Sequence, residues 1–471
     1  MTAPPGAAAR RYHQEFGSRL PRPAGPGTAR TAVPAPRSFP HTPLHPLNYP
    51  PAAEIGPGAQ LGDLLGSLYG VTRLLWSIGG VTAARPVPSG GGVYPCEVYV
   101  AAPRLGLAHY LPTAHALEQL SGADRRAEIV GRLADPPVGE PALVLVLSCA
   151  RERNTVRYGE FGRRLQVLDT GVLAGQALAL WAAAGLTAQL HSRFDEAGLA
   201  ELLGLDPAVE SVRAVVTTGP AEVLPAAPPL ATAPPAAAPP ATAPRAAAFP
   251  ASAFGERRSA RGGFHPVAVS RAELDAVLAA ARVTDSGDGA IDGFAGIEPY
   301  CLVNRVEGVA PGCYRHDPGS GQLHRVGDGP PPGALFPVGP SAVACYEAAF
   351  AVLVTGDYER GYPRFGDRWY RMQNLAAGIA GQRVCLAAAA QPVPSRAAGR
   401  SLGSRLHCDF LIEGADALLG EAAGSRTTLL VALVGPAQVG STPEQQPGRP
   451  AGARTADTPT ADTRTGGAGR W

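Results

Sequence analysis

Three stretches of this chain carry residue types whose spacing could do chemistry. The first is Pro88-Ser89-Gly90-Gly91-Gly92, followed by Val93-Tyr94-Pro95. Pro88 fixes its own φ and pushes Val87 into extended geometry, and the three glycines then remove every side chain that would hold a ligand off the backbone. Such a loop lets N–H groups approach something flat or anionic. No G-K-[ST] opens a helix after it, so it is a poor P-loop, and taken alone it also reads as an ordinary glycine turn. The second stretch is Arg257-Arg258-Ser259-Ala260-Arg261. Its guanidiniums and hydroxyl match the oxygens of a dianion such as a phosphate, although a solvated basic turn has the same composition. The third, Arg157-Tyr158-Gly159-Glu160-Phe161-Gly162-Arg163-Arg164, stands at the start of a long apolar segment. It reads either as a site at a helix entry or as a helix entry with surface arginines.

Composition bounds what these stretches can serve. At 471 residues the chain exceeds one ordinary core and suggests about two or three domains. A net charge of +2 argues against nucleic-acid and anionic-membrane partners. All 41 basic side chains are arginine, so no lysine amine is available for proton chemistry. Cys96, Cys149, Cys301, Cys313, Cys345, Cys385 and Cys408 are scattered without a C-x-x-C pair. That pattern argues for a reducing, cytoplasmic setting and against a metal site or disulfide framework. The N-terminus lacks a signal-type apolar region, and runs such as Ala142–Leu147 have strand length, far below a membrane span.

The elements that must position these residues follow from periodicity. Residues 1–55, rich in Pro, Ala, Gly and Arg, read as an irregular arm. Leu61, Leu64, Leu65 and Leu68 predict a helix from about Gln60 with one buried face. A strand is expected at Ala142–Cys149, a packed central helix over Leu165–Ala184, a short helix at Ala197–Leu203 and a strand at Val212–Thr217. Residues 221–250 hold nine Pro and thirteen Ala, a linker composition. Ser270 with Glu273 forms a capping-box pattern, and strands at Tyr300–Val303, Ala349–Val354 and Thr428–Val434 flank a helix over Met372–Ala390. The tail 437–471 has no hydrophobic pattern and reads as disordered.

The two halves repeat each other. Gly92-Val93-Tyr94-Pro95 matches Gly296-Ile297-Glu298-Pro299, and Tyr158-Gly159-Glu160 matches Phe365-Gly366-Asp367. Arg164 and Gln166 match Arg371 and Gln373, and Gly175-Gln176 matches Gly381-Gln382 one residue out of register. The division is therefore an arm 1–55, a domain 56–220, a linker 221–250, a second domain 251–436 and a tail 437–471, a duplicated domain fused into one chain.

Together these blocks resemble the flavin-dependent nitroreductase superfamily, and within it the SagB/McbC-like branch, over about residues 56–220 and 251–436. Pro88–Pro95 is similar to that branch's P-S-G-G-x-x-Y-P loop, Arg257–Arg261 to the R-R-S-x-R block that grips the FMN phosphate, Arg157-Tyr158-Gly159 to a K-Y-G motif and Phe194-Asp195 to an F-D element. The resemblance implies an α+β fold of two nitroreductase-like domains, each a mainly antiparallel sheet packed with helices around a long central helix. It implies FMN bound between them by Arg257, Arg258, Ser259, Arg261, Pro88, Ser89, Gly90, Gly91 and Gly92. The implied reaction is dehydrogenation of azolines to thiazoles or oxazoles in a ribosomally made precursor peptide, with oxygen as electron acceptor and a cyclodehydratase as partner.

Departures from the family pattern shape this expectation. The first half has the glycine loop but no upstream R-x-S-x-R, and the second has Arg257–Arg261 but Asp292-Gly293-Phe294-Ala295 where the loop is expected. One complete flavin site across the two halves follows. Arg157 replaces the family's lysine and is a poor base, which leaves Tyr158 as the expected base, its phenolate favoured by Arg157. Arg364-Phe365, the corresponding pair, has no proton acceptor. Two other functions compete: an NAD(P)H-dependent flavin nitro or quinone reductase, recognised by flavin bleaching with NAD(P)H alone, and a non-catalytic peptide-binding scaffold, recognised by colourless protein that takes up no FMN.

Overall fold

A computed structural model describes residues 4–17, 34–48, 55, 59–77, 80–219, 249–283, 296–317, 320–330, 333–337, 339–391, 402–438 and 444–445. Two antiparallel sheets and their helices make up an α+β architecture. The first sheet contains β1 (Leu44–Pro46), β4 (Cys96–Ala102), β5 (Gly106–Leu111), β6 (Ala116–Ser121), β7 (Val144–Ala150), β8 (Ala188–His191) and β9 (Glu210–Thr218). The second contains β10 (Ile297–Val303), β11 (Gly312–His316), β12 (Leu323–Gly327), β13 (Phe350–Gly356), β14 (Leu402–His407) and β15 (Thr427–Pro436). With β1 set aside as an added edge, the orders β6-β5-β4-β7-β9-β8 and β12-β11-β10-β13-β15-β14 are the same connection pattern. The central strands β7 and β13 are near-continuous apolar runs because both of their faces are covered.

Each sheet carries a long helix, α5 (Gly162–Ala183) and α11 (Arg368–Ala390), buried on almost every side. The shorter helices are α1 (Ala7–Gly17), α2 (Leu61–Tyr69), α3 (Arg126–Val130), α4 (Arg151–Tyr158), α6 (Glu196–Leu203), α7 (Ala251–Glu256), α8 (Arg271–Ala280), α9 (Pro340–Glu347), α10 (Tyr362–Phe365) and α12 (Ile412–Asp416). The expected capping box at Ser270 and Glu273 opens α8. The only stretch among the described residues long and apolar enough to cross a membrane, Arg151–Ala183, is packed inside the protein.

The long helices meet where Gly171 faces Gly378. A Cβ on Gly171 would lie 2.0 Å from the Leu375 carbonyl, and one on Gly378 would lie 2.2 Å from the Leu168 carbonyl. Only glycine permits this approach of two backbones. Farther along, Gln382 donates to Gln176 at 2.6 Å in a buried bond between the halves. Gln176 and Gln382 of the matched dipeptides thus touch, whereas Gly175 lies against Gln382 and Gly381 against Leu430 and Leu406, so the two glycines do not occupy equivalent places.

Four expectations need correction. The arm 1–55 is not irregular throughout, since α1 is a helix and β1 extends the first sheet. Its residues Arg37–Phe39 are also pinned, with the Arg37 N–H on Glu97 at 3.0 Å and the Phe39 N–H on Glu118 at 2.8 Å. Second, Gly92–Pro95 is not the counterpart of Gly296–Pro299. Cys96 pairs with Cys149 as Ile297 pairs with Gly356, so the matched tetrapeptides sit three residues out of step. Third, the tail contains a short strand, β16 (Glu444–Gln445), on the hairpin of β2 (Arg73–Ser77) and β3 (Gly80–Ala84). Fourth, that hairpin itself, ahead of the glycine loop, is absent from the sequence-based elements. Asp292–Ala295 and the linker up to residue 248 lie outside the described residues.

Candidate functional site

The glycine loop is a single tight turn, with Gly91 and Gly92 at φ of 62° and 67°. Those left-handed values suit glycine and disfavour other residues. Ser89 ties the loop together: its hydroxyl donates to Asp169 at 2.7 Å and accepts from the Tyr94 N–H at 2.9 Å. The Gly90 N–H reaches the other oxygen of Asp169 at 3.2 Å. Asp169 rises from the middle of α5, and burial pushes its carboxyl up to about 7, with the Ser89 and Gly90 bonds acting in the opposite direction. Tyr94 holds φ of 52°, a strained value for a side chain of its size. It is fixed by Arg153, which donates to its carbonyl at 2.8 Å, and by the Arg85 N–H on its hydroxyl at 3.2 Å.

Arg157 and Tyr158, at the end of α4, close over this turn. Arg157 Nη1 donates to the Gly91 carbonyl at 2.8 Å. A Cβ on Gly91 would stand 2.0 Å from Tyr158 Oη, so Gly91 is required by both its backbone and its neighbour. One expectation fails here. Burial raises Tyr158 above the usual phenol range and outweighs Arg157, which pulls the other way. Tyr158 is a neutral phenol near neutral pH, not a standing phenolate.

The arginine cluster arrives from the second half. Arg257, at the end of α7, is buried, and its Nε donates to the Pro86 carbonyl two residues before Pro88. Ser259 bridges to Ser404, and the Ala260 N–H donates to the Ser404 carbonyl at 3.0 Å, which fixes the segment on the edge strand β14. Arg261 Nη2 stands 3.8 Å from where a Cβ of Gly92 would be. Arg258 instead turns back onto the Gly255 and Arg257 carbonyls. Arg405 of β14, which sequence reading missed, lies in the field of Arg261.

The structure thus brings Pro88–Gly92, Arg157 and Tyr158 of one half together with Arg257 and Arg261 of the other. Among the described residues, Arg157, Arg257, Arg261 and Arg405 have no carboxylate within ion-pair distance, and Arg257 Nη1 is a buried donor without a partner. Like charges gathered around an orphan donor suit a bound dianion. The residues fit a flavin phosphate on that observation.

Phe194-Asp195 lies elsewhere, beside Arg364-Phe365 of the second half. Asp195 caps α6 by accepting from the Gly198 N–H. Asp169 was missed although its signal was present, as the one carboxylate in the otherwise apolar Leu165–Ala184 segment.

Residues 81–219 match the model of the nitroreductase family, so the chain carries a nitroreductase-family domain there. A 136-residue stretch is 26% identical to the microcin B17-processing protein McbC of Escherichia coli, covering 26% of this chain and 49% of that protein. The chain thus matches about half the length of that curated relative. The solved structure of a candidate nitroreductase from Anabaena variabilis superposes with a TM-score of 0.71 at 21% identity, over 91% of this chain and 99% of its own. That likeness includes both sheets and establishes the nitroreductase-like fold.

Proposed function

We propose that this chain is an FMN-dependent dehydrogenase that oxidises azolines to thiazoles or oxazoles in a ribosomally made precursor peptide, acting with a cyclodehydratase partner as one fused pseudo-dimer. The observation that carries the reading is the meeting of the glycine loop of one half with Arg257 and Arg261 of the other. The partial match to McbC, described as a microcin B17-processing protein, supports the peptide class.

Arg257, Arg261 and Arg405 would hold the phosphate, and the Ser89–Gly92 backbone would face the ring system, a surface no side chain obstructs. When bound, FMN supplies the hydride acceptor. Tyr158 moves the substrate proton. As a phenol it does so as a relay, accepting the substrate proton at Oη while passing its own O–H proton to solvent water, which reaches this half-buried side chain. Arg157 holds the loop through the Gly91 carbonyl and remains a cation throughout.

The test is a thiazoline-containing peptide incubated with the purified protein after FMN absorbance has been measured against protein concentration. About one flavin per chain and a two-hydrogen mass loss in the peptide are expected. Flavin bleaching by NAD(P)H with no peptide oxidation would instead identify a nitro or quinone reductase.

A further inference from the structure

Arg364-Phe365-Gly366 stands in the second half where Arg157-Tyr158-Gly159 stands in the first. The backbone is the same, with Gly159 at φ 55°, ψ −142° and Gly366 at φ 54°, ψ −144°. The surroundings differ. Here the end of α10 and the start of α11 face two segments of the first half, residues 131–134 and 193–195, across a cavity of about 400 Å³. Its floor is backbone: the Asp195 N–H donates to the Arg132 carbonyl at 2.8 Å and the Ala134 N–H to the Arg193 carbonyl at 3.0 Å.

The charges around this cleft do not balance. Arg132, Arg193, Arg364 and Arg368 line it, and Asp195 is its one acidic lining residue. Arg193 pairs with Asp135. Arg368 pairs with Glu196 at 2.9 Å, but Arg371 takes the same carboxylate at 2.5 Å and Arg213 adds its field. Asp195 is committed to capping α6, with Arg132 Nε beside it at Gly198. Arg132 and Arg364 have no carboxylate within ion-pair distance among the described residues. Two of the guanidiniums are also held in place, since Arg193 lies 5.6 Å and Arg364 4.9 Å from the centre of the Phe365 ring, which itself stacks on Trp369. Cations fixed over an aromatic face lose less side-chain freedom when they bind.

We propose that this cleft binds a carboxylate-rich peptide segment. It rests on the peptide reading above only in taking that segment to be part of the substrate. Phosphate is the poorer fit: the α6 N-terminus is filled by Asp195, and the guanidiniums come from separate segments rather than converging on one point with backbone donors. A chain bearing successive carboxylates meets such a spread of forks one at a time. Phe365 supplies no titratable group, so the cleft holds ligand without reacting with it.

The experiment is calorimetric titration of the full chain with hexaglutamate and hexaglutamine, with flavin content and thiazoline oxidation measured separately. Hexaglutamate is expected to bind at least about tenfold more tightly than hexaglutamine, and Arg132→Gln/Arg364→Gln is expected to lose roughly tenfold or more while keeping the parent's flavin content. Equal binding of the two peptides overturns the proposal, as does an unchanged affinity in the double variant. So does an equal loss in Arg104→Gln, an exposed arginine outside the cleft, or displacement of hexaglutamate by inorganic phosphate at matched concentration. Failure of the flavin reading would appear as missing FMN, independent of all these outcomes.

Discussion

The two halves share a strand order, a buried long helix and the left-handed glycine at its entry, yet they differ in what surrounds that entry. In the first half Tyr158 and Arg157 cover a glycine loop whose bonded carboxyl, Asp169, is one that burial keeps largely protonated below pH 7. In the second half a phenylalanine replaces the tyrosine, and arginines from both halves, with Asp195 of the first, fill the space around it. Under the proposed function, one backbone serves once for proton movement beside an anion site and once for charge alone. What the comparison teaches is that the framework tolerates this divergence because its shared geometry depends on glycines and apolar strands, not on site residues.

The sharpest way to break the comparison is Tyr158→Phe, which gives the first half the residue of the second. Flavin content and melting temperature should stay at parent values, while anaerobic flavin reduction by a thiazoline peptide slows by roughly 10²–10⁴-fold. A rate within a few-fold of the parent would remove Tyr158 from the proton path and leave the halves distinguished by binding alone.

Next in size is the phosphate grip proposed for the second half. Arg257→Ala deletes charge-assisted hydrogen bonds and should weaken FMN roughly ten- to a hundred-fold, read by fluorescence titration. Unchanged affinity would place the anion elsewhere.

The crossing of the helices gives a smaller effect. Gly171→Ala puts a methyl against the Leu375 carbonyl, where neither backbone can yield freely, and should cost about 1–3 kcal/mol in urea denaturation. A neutral result would mean that the halves can slide.

An effect confined to pH separates the two long helices. Asp169 is pushed up to about 7 in the fold, above an ordinary carboxyl, so the folded chain keeps a proton that the unfolded chain has released. Its stabilising contribution is full below about pH 4 and is lost as the pH rises through about 7. Asp169→Asn, which cannot ionise but can still bond Ser89 and Gly90, should match the parent near pH 4 and exceed it by up to about 4 kcal/mol at pH 8. Parallel pH profiles for parent and variant would show that the buried carboxyl is already relieved by some other group.

Periodicity made the long helices, the central strands and the Ser270 cap legible, because each rests on local spacing of apolar or capping residues. The meeting of the glycine loop with Arg257 and Arg261 followed from complementary motifs, which survive without geometry. Other features were hidden for physical reasons. The register of the repeat at β4 and β10 is set by pairing of Cys96 with Cys149 and Ile297 with Gly356, and a chance G-x-x-P match outweighed it. Burial decided the direction of Tyr158, and sequence adjacency to Arg157 carries no measure of burial. The cleft at Arg364 combines segments that no local pattern connects.

Helix α1 precedes both sheets in sequence yet touches both halves, its Tyr12 hydroxyl donating to the Glu160 carbonyl of the first at 2.8 Å. The Ala9 N–H donates to Asp367, 358 positions away, at 3.0 Å, and Arg10 pairs with Glu359 at 2.6 Å. On a ribosome, α1 emerges before the whole first sheet, and its partners Glu359 and Asp367 emerge only after that sheet and β10–β13 have been made. The first half can collapse around its own strands while its leading helix waits, a wait lengthened by the loop-closure entropy of so distant a contact. Helix α1 is therefore a clasp across the two halves, and its far-side contacts close only after the Glu359–Asp367 segment has been made.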